Sequence, residues 1–292
     1  MDFVIPLHND NILLRSTIEG VVELYNPNNI YIILPVKYIN IINNKINNWL
    51  INYTNIILID EETFFIKNYN MHINDIIKLY KFIDEKSREF GWWYQQLIKL
   101  GAVHQIKNIS NPFVVWDSDL IPFDKWILNE NFLFAILQDK PRNEFNKSEY
   151  NRSINYLLNL DAEEPSEGTF VPHHYLFYHE IIKHYLKYIL ENKKYNNWIE
   201  CIISLSQNYY RFSEYKSLTT FINKFYSDKL KYHKYDTYGK NGKRFRENKE
   251  IIEIIKQLCN IENNTISYNE IKKIKLYFNN ISYLQVEHLL SN

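Results

Sequence analysis

Three short apolar runs with helical periodicity between them restrict what this chain can fold into. Residues 2–7, 30–35 and 55–60 are β-branched and nearly free of charge, while 12–25 and 41–51 carry apolar side chains at helical spacing. Asn26-Pro27-Asn28-Asn29 breaks the first helical segment. Strands joined through helices cannot pair as hairpins, so they run parallel with right-handed crossovers. The expected fold class is α/β: a Rossmann-like, mostly parallel sheet flanked by helices.

The run Phe113-Val114-Val115-Trp116 reads as a further buried strand, starting after the turn signal Asn111-Pro112 and ending in Asp117-Ser118-Asp119 before Pro122. The acids therefore stand at its carboxyl end, the end at which open α/β sheets bind ligands. Two carboxylates two positions apart share a strand face and can reach one divalent cation, directly or through water. The plainer alternative is an Asx-rich strand exit that caps a turn.

Lys plus Arg and Asp plus Glu both number 34, so the net charge is zero and no nucleic-acid partner is expected. Of 292 residues, 46% are hydrophobic, enough for one large core. Cys201 and Cys259 are the only cysteines, too few for a disulfide framework or a Cys-based zinc site. Met1 leads straight into a strand-like segment with neither a basic n-region nor a long apolar one, and no run approaches the ~20 residues of a membrane span. The expectation is a chain with no signal peptide and no transmembrane segment, placed in the cytoplasm or a host cytoplasm.

Further along, residues 73–85 and 92–100 read as helices, 134–137 as a strand, 140–149 as a charged loop, 153–160 as a short helix and 165–168 as a turn. Helices follow over 180–192 and, with an interruption near 208–213, over 198–225. Residues 227–246 change character, with Lys and Arg interleaved with tyrosines and glycines, and read as a loop; helices are expected over 249–258 and 268–277. The expected division is a catalytic unit over 1–226 and a basic loop with a helical C-terminal tail over 227–292.

Several side chains suit a transfer site. Gln95 and Gln96 offer a donor and an acceptor each, which matches sugar hydroxyls, or they form a solvated helix face. His173 and His174 could ligate a metal or meet phosphate; adjacent strand residues point to opposite faces, so one at most belongs in the site. Glu214 lies between Phe212 and Tyr215, which could desolvate it toward a general base, or it is a first-turn acid after the Ser213 cap. The basic loop could close over a diphosphate as a lid, with His233 as a third metal ligand.

Two segments resemble nucleotide-sugar glycosyltransferases of the GT-A type: Ile5-Pro6-Leu7-His8-Asn9-Asp10 at the end of the first strand, and Trp116-Asp117-Ser118-Asp119. More narrowly, the order of residues 91–100, 114–119, His173-His174 and Phe212-Ser213-Glu214-Tyr215 resembles a group of such proteins from bacteria and large DNA viruses. The resemblance covers roughly residues 2–226 and implies a GT-A-like fold. It also implies sugar transfer from a nucleoside diphosphate sugar, UDP-sugar favoured and GDP-sugar possible, to a glycan, protein or lipid-linked acceptor. On that basis Asp119 and Asp117 would hold Mn²⁺ or Mg²⁺ on the diphosphate, and Pro6, His8, Asn9, Asp10, Gln95, Gln96, Asp117, His173 and His174 would surround the donor. Glu214 would be the general base. The alternative function is a non-catalytic sugar- or partner-binding module on a degenerate transferase fold, against which the intact Asp-x-Asp, Gln-Gln and Ser-Glu-Tyr stand.

Overall fold

A computed structural model describes residues 1–49, 55–81, 88–128, 133–136, 144–162, 170–208, 210–233, 242–245 and 248–287. Strand β1 (Phe3–Pro6) leads through helix α1 (Leu14–Tyr25) to β2 (Asn29–Leu34), and α2 (Val36–Asn48) leads to β3 (Asn55–Asp60). Helices α3 (Ile66–Tyr69), α4 (Ile73–Leu79) and α5 (Arg88–Gln105) precede β4 (Phe113–Trp116). Then come β5 (Leu120–Pro122), β6 (Leu133–Ile136), α6 (Glu144–Leu158), β7 (His174–Phe177), α7 (His179–Lys193), α8 (Trp198–Ile203) and α9 (Glu214–Phe225). The C-terminal part holds β8 (Leu230–His233), β9 (Lys243–Phe245), α10 (Asn248–Leu258), α11 (Tyr268–Tyr277) and β10 (Tyr283–Val286).

The central sheet has the order β3-β2-β1-β4-β7, parallel throughout except for β7, which runs antiparallel to β4. The β-branched and aromatic side chains of β1 and β4 are all buried, each contributing on the order of 1.5–3 kcal/mol by leaving water. The chain builds outward from β1 to β3 and then crosses back to lay β4 on the other side of β1. The strand order therefore reverses between β1 and β4, and the carboxyl ends of such a pair are where open α/β sheets bind ligands. Residues 7–10 leave one strand there and Asp117 leaves the other.

Helix α2 starts at Val36, earlier than the periodicity over 41–51 indicates, because the extended Pro35 (φ −56°, ψ 138°) delivers the chain straight into it. Helix α6 begins at Glu144, inside the segment read as a charged loop; the sequence of its first turn, Glu144-Phe145-Asn146-Lys147, carries no clear apolar period to reveal it. The expected turn at 165–168 lies outside the described residues.

The region beyond 226 differs most from its sequence pattern. Besides α10 and α11 it contributes strands: β8 pairs in parallel with β6, and β10 lies between β5 and β9. A second core forms there, in which Ile251, Ile255, Ile271 and Ile274 pack against Leu13, Ile121, Leu284 and Val286. Strand pairing thus crosses the 226/227 boundary and ties the C-terminal segment to the chain just after Asp119. No helix among the described residues is long and apolar enough to cross a membrane.

Candidate active site

The turn after β4 is held from three sides. Leu120 N–H donates to the Asp117 carbonyl (3.1 Å), Trp116 Nε1 donates to the Leu120 carbonyl (2.8 Å), and Thr17 of α1 donates to the Ser118 carbonyl (3.0 Å). Leu120 then enters β5. The two acids consequently face different partners.

Asp117 sits in a network that runs through the interior. Its Oδ1 lies 2.5 Å from Lys99 Nζ and accepts from the Tyr215 hydroxyl (3.3 Å), and its Oδ2 meets His173 Nδ1 at 2.8 Å. Lys99 Nζ also pairs with Glu214 Oε1 at 2.7 Å and lies over the Tyr215 ring, 4.6 Å from its centroid. The side chains of Lys99 and Glu214 are 3% and 5% exposed. Burial would lower the Lys99 pKa, but the Asp117 and Glu214 carboxylates overcome it and hold the ammonium well above its ordinary value. For Asp117 the same contest has the opposite outcome: burial pushes its pKa up, and Lys99 with His173 pulls it well below the usual carboxylate range. Burial leads for Glu214 and raises its pKa despite Lys99.

Glu214 was expected to face an acceptor hydroxyl, yet its carboxylate lies in the interior on Lys99. The Ser213 cap read from the sequence is present, its Oγ accepting from Lys216 N–H at 3.4 Å. Gln96, one helical turn from Lys99 on α5, accepts from Glu214 N–H (3.0 Å), which joins α5 to α9, and donates within α5 to the Trp92 carbonyl (3.2 Å). Gln95 is half-buried. Lys99 is the residue that sequence reasoning left without a role.

His173 stands just before β7 with φ 62°, a left-handed conformation uncommon for a side chain of its size. Its carbonyl accepts from Asp117 N–H (2.9 Å) and its Nδ1 faces Asp117 Oδ2, two contacts that hold the strained residue in place. A proton on Nδ1 leaves the Nε2 lone pair inward, and Nε2 is buried with no hydrogen-bond partner. Burial lowers the pKa of this ring, with Asp117 opposing. His174 faces the other way, stacked on Trp126 with ring centroids 4.3 Å apart and an 8° interplanar angle. His173 lies outside β7 and in the left-handed region, so the strand alternation expected for the pair does not describe it.

Asp119 turns to the C-terminal strands. Its carbonyl accepts from Val286 N–H (3.2 Å), and Gln285 Nε2 lies 3.5 Å from its Oδ1. Burial, the Asp117 carboxylate and Glu287 together push its pKa up to about 7. Among the described residues no cation pairs with this carboxylate, and the Lys99 charge opposes its shift only weakly.

At the end of β1, Pro6 is buried and His8 is exposed against Gly91 of α5, where an added Cβ would lie 3.1 Å from His8 Cε1. Burial and Lys37 lower the His8 pKa. Asn9 is half-buried. Asp10 is engaged through both oxygens by Lys45 at 2.7 Å, and Asn11 Oδ1 accepts from Leu13 N–H ahead of α1. His233 ends β8, with Ile136 as its register partner; its side chain lies outside the described ones.

Among the described residues no group of three or more His, Cys, Asp or Glu side chains is arranged to hold a metal ion. Two donors suit one: the Asp119 carboxylate, whose pKa burial and the neighbouring carboxylates raise, and His173 Nε2, which has no hydrogen-bond partner among the described residues and whose Nδ1 is backed by a carboxylate as is usual for metal-bound histidine.

Residues 10–252 match the profile of a protein family described as "Family of unknown function (DUF6492)". The chain belongs to that family. A comparison with curated proteins finds no match. Among solved structures, mouse xyloside xylosyltransferase 1 in its apo form is similar at 9% identity over 100% of both chains, with a TM-score of 0.51. A galactosyltransferase LgtC in complex with donor and acceptor sugar analogs aligns at 10% identity over 98% of this chain and 87% of its own, with a TM-score of 0.49. This DUF6492 chain thus has the GT-A glycosyltransferase fold: a mixed α/β architecture with a mostly parallel central sheet flanked by helices.

Proposed function

We propose that the chain transfers a sugar from a nucleoside diphosphate sugar to an acceptor hydroxyl, with a divalent cation held by Asp119 and His173. What supports this reading is a partly buried carboxylate, Asp119, with no ion-pair partner among the described residues, and the buried His173 Nε2, without a hydrogen-bond partner among them, both on segments next to β4 where the strand order reverses. A divalent cation held there would supply charge neutralisation for a diphosphate leaving group.

The other residues prepare this site. Asp117 orients His173 through Nδ1 and does not itself need to touch the cation. Lys99 keeps Asp117 ionised, and Glu214 anchors Lys99 from its other side, a positioning role in place of the general base read from the sequence. The donor nucleoside would lie by residues 7–10 at the carboxyl end of β1, where His8 is exposed and Asp10 is tied to Lys45.

Thermal shift against a panel of nucleoside diphosphates, with and without Mn²⁺, tests the proposal. Linkage requires stabilisation by at least one of them that depends on the metal, about 2.7 kcal/mol at a ligand concentration of about 100 Kd. A panel without effect would leave a partner-binding module on a transferase fold as the better reading.

A further inference from the structure

Strand β10 alternates in a way that its neighbours explain only in part. Leu284 and Val286 point into the C-terminal core, and Tyr283 packs on the other side against Trp126, with ring centroids 5.8 Å apart. Gln285 shares the side of Tyr283 and is 1% exposed. At such a position an apolar residue would pack without penalty, whereas an amide whose polar atoms are not all paired costs stability.

The orientation of that amide is set by charge. Gln285 Nε2 faces the Asp119 carboxylate, since the reverse orientation would set oxygen against oxygen, and Oε1 is left buried without a hydrogen-bond partner. The strand is held in register there: Gln285 stands opposite Leu120 of β5 and Arg244 of β9, and Arg244 bridges to Glu287. The charges of Arg244 and Glu287 both act on His173, so β9 and β10 border the same site as Asp119.

From these contacts we infer that Gln285 is a ligand-contacting residue of the transfer site, supplied by a strand outside the family-matched span of 10–252, and that its Oε1 accepts a hydrogen bond from the bound donor. The inference rests on the sugar-transfer reading above. The chemistry it requires is a hydrogen-bond donor beside Asp119. A hydroxyl of the transferred sugar or a water on the cation would supply it.

The test is equilibrium binding of the tightest-binding UDP- or GDP-hexose, and of the matching free nucleoside diphosphate, to the parent and to Gln285→Met, which keeps volume and removes both polar atoms. Loss of one hydrogen bond should weaken binding about tenfold. Weakening confined to the nucleotide sugar assigns the bond to a sugar hydroxyl. Weakening of both ligands in Mn²⁺, absent without it, assigns the bond to a cation-bound water. Gln285→Asn, which withdraws the acceptor by one methylene, should reproduce the loss and serves if Gln285→Met does not fold. Parent-like affinity of a folded variant for both ligands overturns the inference and leaves the function standing. A parent that binds no nucleotide sugar overturns the function, and this inference with it.

Discussion

Lys99→Met is expected to cost about 3–5 kcal/mol, because it removes the ammonium between the buried Glu214 and the partly buried Asp117 carboxylates. Urea or thermal unfolding reads the loss, as a fall in Tm of roughly 10 °C for a chain of this size. The pH dependence separates this cause from a packing defect. In the parent, Asp117 has a lowered pKa, so its contribution is present above the unfolded carboxylate value and is lost on acidification. In Lys99→Met the Asp117 pKa would rise for want of the ammonium and that of Glu214, already raised, would rise further, which costs more as pH rises. The deficit relative to the parent should therefore narrow from about pH 7 to about pH 5. A pH-independent deficit would place the loss in packing.

Asp119→Asn is expected to separate binding from stability. Metal-dependent nucleoside diphosphate binding should fall by more than about 100-fold, since even residues that only orient metal ligands contribute about 10–100-fold. The ligand-free protein should become more stable. The Asp119 pKa, raised to about 7, means that its favourable contribution exists below the unfolded value and disappears as pH rises through neutrality. At about pH 8 the parent holds a carboxylate near Asp117 and Glu287 that the variant lacks, a difference on the order of 1–2 kcal/mol. Unfolding curves and binding titrations on the same samples check both halves.

The sheet and its acids were legible because buried parallel strands are short β-branched runs and the carboxylates end one of them abruptly. Lys99 was not, since a single lysine on a helix ordinarily reads as solvated. Its signal lay in its setting: Leu97-Ile98-Lys99-Leu100-Gly101-Ala102-Val103 has no other charge, and its apolar neighbours are buried. A charge there needs an internal counterion, and the acids that answer it are 18 and 115 positions away. Gln96 looked like a sugar contact for the same reason that it serves as a helix-end partner, because an amide satisfies either. Strands β8, β9 and β10 escaped detection because each has only three or four residues and pairs far along the chain: Leu230 of β8 with Leu133 of β6, Tyr283 of β10 with Pro122 of β5, and Lys243 of β9 with Leu284 of β10. Asp10 reads as a ligand residue in an Asx-rich loop until Lys45 is seen beside it.

Anomalous scattering from Mn²⁺ in crystals grown with a nucleoside diphosphate would test the central claim most directly. The account predicts one manganese peak within about 2.3 Å of an Asp119 oxygen and of His173 Nε2, bridging to the diphosphate outside the carboxyl ends of β1 and β4. A manganese bound away from both residues, or a nucleotide seated away from those strand ends, would contradict it.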